Sequence, residues 1–234
     1  MQDKVIIIVG ATGGIGSALT RKLASTGTRL VLVARDMVRL AALAEELSGE
    51  VLTVPCDITD PQQVKLLIEK TISHFGQIDV LVNSAGAGIL QPYNNVEPAD
   101  LAKMLDINLK GSFYTTQAVA IEMQKRKSGH ICNVVGILGK HSMGMASAYC
   151  ASKFGVVGFS KSMAEELKRF NIKFTLFYFG GVDSPFWDNV KLKVDRKKML
   201  STETAANAIF FALSAEPQAV PMEINIQPDS HLFF

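Results

Sequence analysis

Five apolar and mostly β-branched residues, Val5-Ile6-Ile7-Ile8-Val9, run directly into Gly10-Ala11-Thr12-Gly13-Gly14-Ile15-Gly16. The run is too short for a stable helix and the glycines stop it abruptly, so it reads as a central strand buried on both faces of a parallel sheet. From Ile15 onward Ala18, Leu19, Leu23 and Ala24 fall at helical spacing. Strand, glycine turn and helix N-terminus together form an anion site: backbone N–H groups point outward, the helix dipole favours negative charge, and missing Cβ atoms let a pyrophosphate approach. The spacing is not Gly-x-Gly-x-x-Gly. It is Gly10-x-x-x-Gly14-x-Gly16, and Gly13 also allows Gly-x-x-Gly-x-x-Gly. A bare tight turn is the plain alternative; the position directly after an apolar strand favours the nucleotide.

Beyond this unit, strand-like and helix-like stretches alternate. Strands are predicted at 29–34, 51–54 (ended by Pro55), 78–82, 131–135 and 173–178, with a possible closing strand at 222–226. Helices are predicted at 37–47, from Asp60-Pro61 (Asp as N-cap, Pro at the first position), at 148–170 and at 202–213. The stretch 99–123 is helical but interrupted at 108–111, and 180–200 has no strong period and reads as a mobile loop or lid. Repeated βα units favour an α/β fold: a doubly wound parallel sheet, Rossmann-like, with helices on both faces and right-handed crossovers.

The chain has 234 residues, 48% of them hydrophobic, which suits one well-cored domain spanning 1–234. A formal net charge of +2 offers no basic block for nucleic acid. No apolar run approaches the roughly 20 residues needed to span a bilayer, and the chain enters a strand at once, leaving no room for a signal peptide. Cys56, Cys132 and Cys150 are odd in number and lack metal-ligand spacing, so no metal is expected. Reduced thiols in a cytoplasmic protein are the expectation.

Tyr149 and Lys153 lie four apart on a predicted helix and so share a face. A phenol near pKa 10 is too weak an acid for work at neutrality. A nearby ammonium favours the phenolate, and such a pair can pass a proton to or from an alcohol oxygen while a cofactor moves hydride. In isolation the pair would be unremarked, because Tyr-x-x-x-Lys is common by chance. Here Gly10-x-x-x-Gly14-Ile15-Gly16, Asn83-Ser84-Ala85-Gly86, Asn108-x-x-Gly111 and Tyr149-x-x-x-Lys153 follow in order at compatible distances. With these motifs the chain resembles the short-chain dehydrogenase/reductase family along nearly its whole length.

The resemblance implies roles for particular residues. Tyr149 is the general acid/base, Lys153 lowers its pKa and holds the nicotinamide ribose, and Asn108 disturbs its helix and fixes a water in a proton relay. Gly10, Thr12, Gly13 and Ile15 surround the cofactor phosphates. Asp57 with Ile58 meets the adenine, although Asp57 could equally be a turn residue before Thr59-Asp60. Asn83, Ala85 and Gly86 stand on the adenosine-ribose side. Val182, beyond Gly180, approaches the nicotinamide amide, and Ser184 keeps a phosphate-contacting hydroxyl. Two positions depart from the family pattern. Where the family has a substrate-holding serine after the fifth strand this chain has Gly136, with Ser142 the nearest substitute in the next loop; and the usual Pro-Gly after the sixth strand is Phe179-Gly180.

An Asp or Glu at the end of the second strand would bind a ribose 2′-hydroxyl; this chain offers Arg35, with Arg39 a helical turn on, so NADP(H) is the expected cofactor. The leading reading is an NADP(H)-dependent reductase of a ketone or aldehyde. A cofactor-binding sensor or scaffold with impaired turnover is the alternative, suggested by Gly136, and an epimerase or dehydratase of the sugar-nucleotide type ranks third. Ile89, Leu90, Ile137, Leu138, Met143, Met145, Phe186 and Trp187 are expected around an apolar substrate pocket. The helix from 148 is apolar almost all round, with Gly155 and Gly158 permitting close approach, so a homodimer or homotetramer is expected.

Overall fold

The computed structural model describes residues 1–190 and 192–233. Seven strands form one parallel sheet: β1 (Val5–Val9), β2 (Arg29–Ala34), β3 (Val51–Pro55), β4 (Val80–Asn83), β5 (Gly129–Val134), β6 (Ile172–Phe179) and β7 (Glu223–Ile226). Their order is β3-β2-β1-β4-β5-β6-β7. The winding reverses between β1 and β4, and a crevice opens there beyond the carboxyl ends of the strands, where open α/β sheets bind ligands.

The helices are α1 (Gly14–Ala24), α2 (Met37–Glu45), α3 (Pro61–Phe75), α4 (Pro98–Met104), α5 (Ser112–Arg126), α6 (Ser147–Leu167) and α7 (Thr202–Leu213). Alternation along β1 sorts them into two layers. Ile6 and Ile8 pack with Leu19 and Leu23 of α1, Leu40 of α2 and Ile209 of α7. Val5, Ile7 and Val9 face the other way, onto Val64 and Leu67 of α3 and Val119 and Met123 of α5. Every residue of β1 is buried, as a strand covered on both faces must be. Truncating one of them, Ile7→Ala, is expected to cost about 2–5 kcal/mol.

Local chemistry fixes the element ends. Asp60 accepts a hydrogen bond from the Gln62 N–H at 2.9 Å with Pro61 in the first turn, and α3 stops at Gly76 in the left-handed region. Asp36 caps α2 by accepting from the Arg39 N–H at 3.1 Å. The expected break between α4 and α5 is a seven-residue π-helical segment, Leu105–Gly111, wider than the 108–111 interruption read from sequence. β4 starts two residues later than expected and β5 two earlier. The segment 180–200 is more ordered than a structureless lid. It holds short 3₁₀ turns at Pro185–Asn189 and Arg196–Lys198, and a bridge joins Val182 to Leu200.

Candidate active site

The crevice at the switch point is a cleft of about 1570 Å³. Gly10 ends β1 with φ +81°, a conformation open to glycine, and a Cβ there would stand 2.6 Å from the Ala85 nitrogen. The glycine turn therefore lies directly against the loop after β4. At its far side, a Cβ on Gly14 would stand 2.6 Å from the Ser184 Cβ, so the Ser184 loop closes over the start of α1. Side chains cap α2, α3 and α7, whereas no side chain among the described residues caps α1 at Gly13. The first N–H groups of α1 thus lie at the cleft without a side-chain acceptor, which is what an anionic group requires.

Gly10, Thr12, Gly13, Ile15, Arg35, Asp57, Ile58, Ala85, Gly86, Tyr149, Lys153, Gly180, Val182 and Ser184 all line this cleft. Arg39 does too, and its Nη2 donates to the Thr12 carbonyl at 2.7 Å, tying α2 to the glycine turn. Asp57 makes the turn contacts of the second reading offered for it. One carboxylate oxygen accepts from the Thr59 N–H at 3.0 Å and its hydroxyl at 2.8 Å, and the residue still borders the cleft.

Asn83 corrects the expectation. Its amide nitrogen donates to Thr116 Oγ1 at 3.0 Å and to Asn133 Oδ1 at 2.9 Å, and its amide oxygen accepts from Thr115 Oγ1 at 2.8 Å. Both amide hydrogens and the amide oxygen are engaged inside the protein, joining β4 to β5 and α5, because a buried amide left unpaired would be costly. It positions the loop that carries Ala85 and Gly86 and does not itself line the cleft.

Asn108 likewise reaches no cleft surface. Its Oδ1 accepts from the Ala87 N–H at 2.8 Å, while its Nδ2 donates to the Ala87 carbonyl at 2.9 Å and to Ser152 Oγ at 2.9 Å. A π-turn at this position carries the side chain to a neighbouring backbone, a departure from helical spacing often found at functional sites. Ser152 had no signal in the sequence beyond lying beside Lys153.

Lys153 is buried, and its Nζ donates to the Val134 carbonyl at 3.3 Å and sits 5.7 Å from the centre of the Tyr149 ring. A Cβ on Gly86 would stand 3.4 Å from Asn108 Oδ1 and 3.6 Å from Lys153 Nζ, so Gly86 and Lys153 meet at the cleft with Asn108 buried behind them. Burial pulls the Lys153 amine down to about 8. Burial, with Cys150 adding to it, pushes the Tyr149 phenol up from its ordinary value, opposite to the lowering expected from its lysine neighbour. Desolvation outweighs charge attraction here, since the amine lies by the ring rather than hydrogen-bonded to the hydroxyl.

Gly136 follows β5 with φ +89°, and a Cβ there would stand 3.7 Å from the Tyr149 hydroxyl. Ser142, the substitute considered for it, is exposed and does not line the cleft. Leu90, Ile137, Leu138, Met143, Phe186 and Trp187 do, with Ile89; Met145 instead faces solvent. Sequence reasoning missed several contributors to the cleft wall, Gln91, Lys103 and Ile107 among them, and two bear on its shape. One is Gly88, whose backbone supports the Phe186 ring; the other is the segment from Pro228 to Phe233, which folds back after β7. Gln227 holds that segment by accepting from the Phe233 N–H at 2.8 Å and donating to its carbonyl at 2.9 Å.

The sequence model of the family described as short chain dehydrogenase matches residues 4–195. The chain belongs to the short-chain dehydrogenase family. An uncharacterised oxidoreductase of Staphylococcus saprophyticus is 33% identical over 232 residues, covering 97% of this chain and 98% of that one. One from Staphylococcus epidermidis is 30% identical over 228 residues, with the same shares covered. Among solved structures, a metagenomic short-chain oxidoreductase in complex with NADP is similar at TM-score 0.84 and 29% identity, covering 97% of this chain and 98% of that one. Levodione reductase is similar at TM-score 0.89 and 26% identity, covering 98% of each chain. An alcohol dehydrogenase of the archaeon Thermococcus sibiricus shares the fold at TM-score 0.92 and 24% identity, over the whole of both chains. This member is an oxidoreductase with the Rossmann-like sheet of its family. Among its described residues no helix is long and apolar enough to cross a membrane.

Proposed function

We propose that this protein reduces an apolar ketone or aldehyde, or oxidises the corresponding alcohol, using NADP(H), with Tyr149 as general acid/base. The observation that carries the reading is continuity within one cleft. It runs from the uncapped start of α1, flanked by Arg35 and Arg39, to the Tyr149 hydroxyl with the buried Lys153 amine beside its ring. The NADP complex of the metagenomic relative supports the cofactor class.

In this reading the α1 N-terminus, Thr12, Gly13, Ile15 and Ser184 would hold the cofactor phosphates, and Arg35 would pair with a 2′-phosphate. When bound, the reduced cofactor would supply hydride chemistry at the carbonyl carbon. Tyr149 donates its phenol proton to the carbonyl oxygen, completing the alcohol. The Lys153 ammonium, largely protonated at neutral pH with a pKa near 8, opposes the negative charge left on the phenol oxygen. Asn108 acts through backbone: by gripping both polar groups of Ala87 it fixes the loop that meets Lys153 at Gly86. The apolar wall from Ile137, Leu138 and Met143 suits an apolar substrate and excludes water.

The domain is read as continuous over residues 1–234. Its three buried thiols suit a reducing cytoplasmic setting, and the outward face of α6 suits a homodimer or homotetramer. A panel of carbonyl compounds with NADPH and with NADH, followed by loss of reduced-cofactor absorbance, tests the reading. Turnover with NADPH on apolar carbonyls supports it.

A further inference from the structure

Between β6 and α7 the chain makes a turn, Ser184-Pro185-Phe186-Trp187, whose ring Phe186 spans the cleft. On one side it lies so close to Gly88 that a Cβ on that glycine would stand 2.1 Å from the Phe186 Cζ. On the other it meets the Tyr149 ring edge-on, centroid to centroid 5.9 Å. Trp187 backs it at 5.3 Å, its indole nitrogen donating to the Val182 carbonyl at 2.9 Å. Three points of Arg196 brace this turn. Its Nε pairs with Asp183, its Nη1 with Asp188 at 2.7 Å, and its Nη2 donates to the Ser184 carbonyl at 3.1 Å. Asp183 and Asp188 flank the turn on both sides, so one guanidinium spans its base. A single exposed ion pair would hold little, but a planar fork engaging three partners fixes a geometry.

We propose that Phe186 is the specificity-determining residue of this cleft: held by Arg196 between Gly88 and Tyr149, its ring limits the size of one of the two groups on the substrate carbonyl. The inference rests on the carbonyl-reductase reading. Because the Tyr149 and Phe186 rings meet edge-on, a carbonyl whose oxygen bonds the Tyr149 hydroxyl brings one of its substituents toward the Phe186 ring. On the Gly88 side, ring against backbone leaves no depth for a bulky group. Away from Gly88, Ile137, Leu138, Met143 and Leu192 line the same cleft in one apolar cluster with Tyr149, a surface that accepts a larger one. The substrates are therefore unsymmetrical carbonyls with one small group and one large apolar group. Arg196 is a positioning residue, acting only through the turn.

The chain has one tryptophan, Trp187, so its fluorescence reports on this turn directly. The NADP⁺-loaded protein, which cannot reduce a ketone, is titrated with cyclohexyl methyl ketone and with dicyclohexyl ketone, in the wild type, Phe186→Ala and Phe186→Leu. The wild type should bind the methyl ketone at least about tenfold more tightly, Phe186→Ala should bring the two within about threefold, and Phe186→Leu should fall between. Arg196→Ala should relax the preference and Arg196→Lys should relax it less. A preference unchanged in both Phe186 variants overturns the proposal, and Phe186→Leu keeps it testable should Phe186→Ala not fold. An unchanged preference in Arg196→Ala overturns the bracing role. Turnover is read in parallel samples that contain NADPH. Size discrimination in binding without NADPH oxidation on either ketone would leave the filter standing and remove the reductase reading instead.

Discussion

Gly136 and Tyr149 face each other at the end of the cleft: a Cβ on the glycine would stand 3.7 Å from the tyrosine hydroxyl. A serine hydroxyl carried on that Cβ would come within reach of an oxygen bonded to Tyr149, as a second donor for charge developing there. The backbone opposes it, because φ at Gly136 is +89°.

The two effects separate by substitution. Gly136→Ser and Gly136→Ala share the backbone strain, so both should lose about 1–2 kcal/mol of stability. Only the serine adds a donor, so Gly136→Ser should turn over apolar ketones on the order of tenfold faster than Gly136→Ala. Melting curves and steady-state rates on the three proteins check this. Equal rates for serine and alanine would show that the position holds no substrate oxygen.

Cofactor choice should reside in Arg35. Arg35→Ala should weaken NADPH binding on the order of 10–100-fold and leave NADH within about threefold. Arg39 is different, because it also ties the glycine turn through the Thr12 carbonyl at 2.7 Å. Arg39→Ala should weaken both cofactors together. Direct titration of each variant with each cofactor distinguishes these patterns.

The buried lysine should carry a stability cost that depends on pH. Burial holds the Lys153 amine near 8, below its ordinary 10.5. Between those values the unfolded chain binds a proton that the folded chain does not, so stability rises with pH from about 8 to about 10.5. Below pH 8 both states are charged and the full cost applies. Lys153→Met should therefore gain on the order of 1–3 kcal/mol at pH 7 while losing turnover, the gain fading above pH 8. Urea unfolding at pH 7 and pH 10 measures both parts of this.

Much of the fold was legible in the sequence because strands covered on both faces need unbroken apolar runs. Val5–Val9 and the 29–34 run could be placed almost to the residue. Asp60-Pro61 announced its helix because capping is local chemistry. Sites made by distant segments were less visible. Nothing in the spacing of Asn83 tells that Thr115, Thr116 and Asn133 consume its amide, and nothing in Gly88 tells that Phe186 rests on it. The 108–111 interruption was seen, but π-helical winding from Leu105 depends on where the Asn108 side chain finds partners. The upward push that burial gives the Tyr149 phenol is a property of the packed structure, whereas sequence shows only the neighbouring charge.

The outward face of α6 gives a further test. Ala151, Phe154 and Gly158 are exposed on it, Phe154 by 46%, and Gly158 has open space where a Cβ would be. A second copy packed there would cover them. Light scattering should give the mass of a dimer or tetramer, and Phe154→Glu should shift it toward the monomer with the helical signal unchanged. A wild-type monomer mass at every concentration would contradict this.

The most direct measurement compares wild type with Tyr149→Phe, which keeps the ring and removes the proton. Both are assayed for NADPH oxidation over a panel of apolar ketones and aldehydes, with NADPH binding measured in parallel. Removing the proton donor should lower turnover at least about 10²-fold on every carbonyl the wild type reduces, while NADPH affinity stays within about twofold. Equal turnover in the two proteins would contradict the account, because the cleft would then reduce carbonyls without the residue on which the mechanism depends.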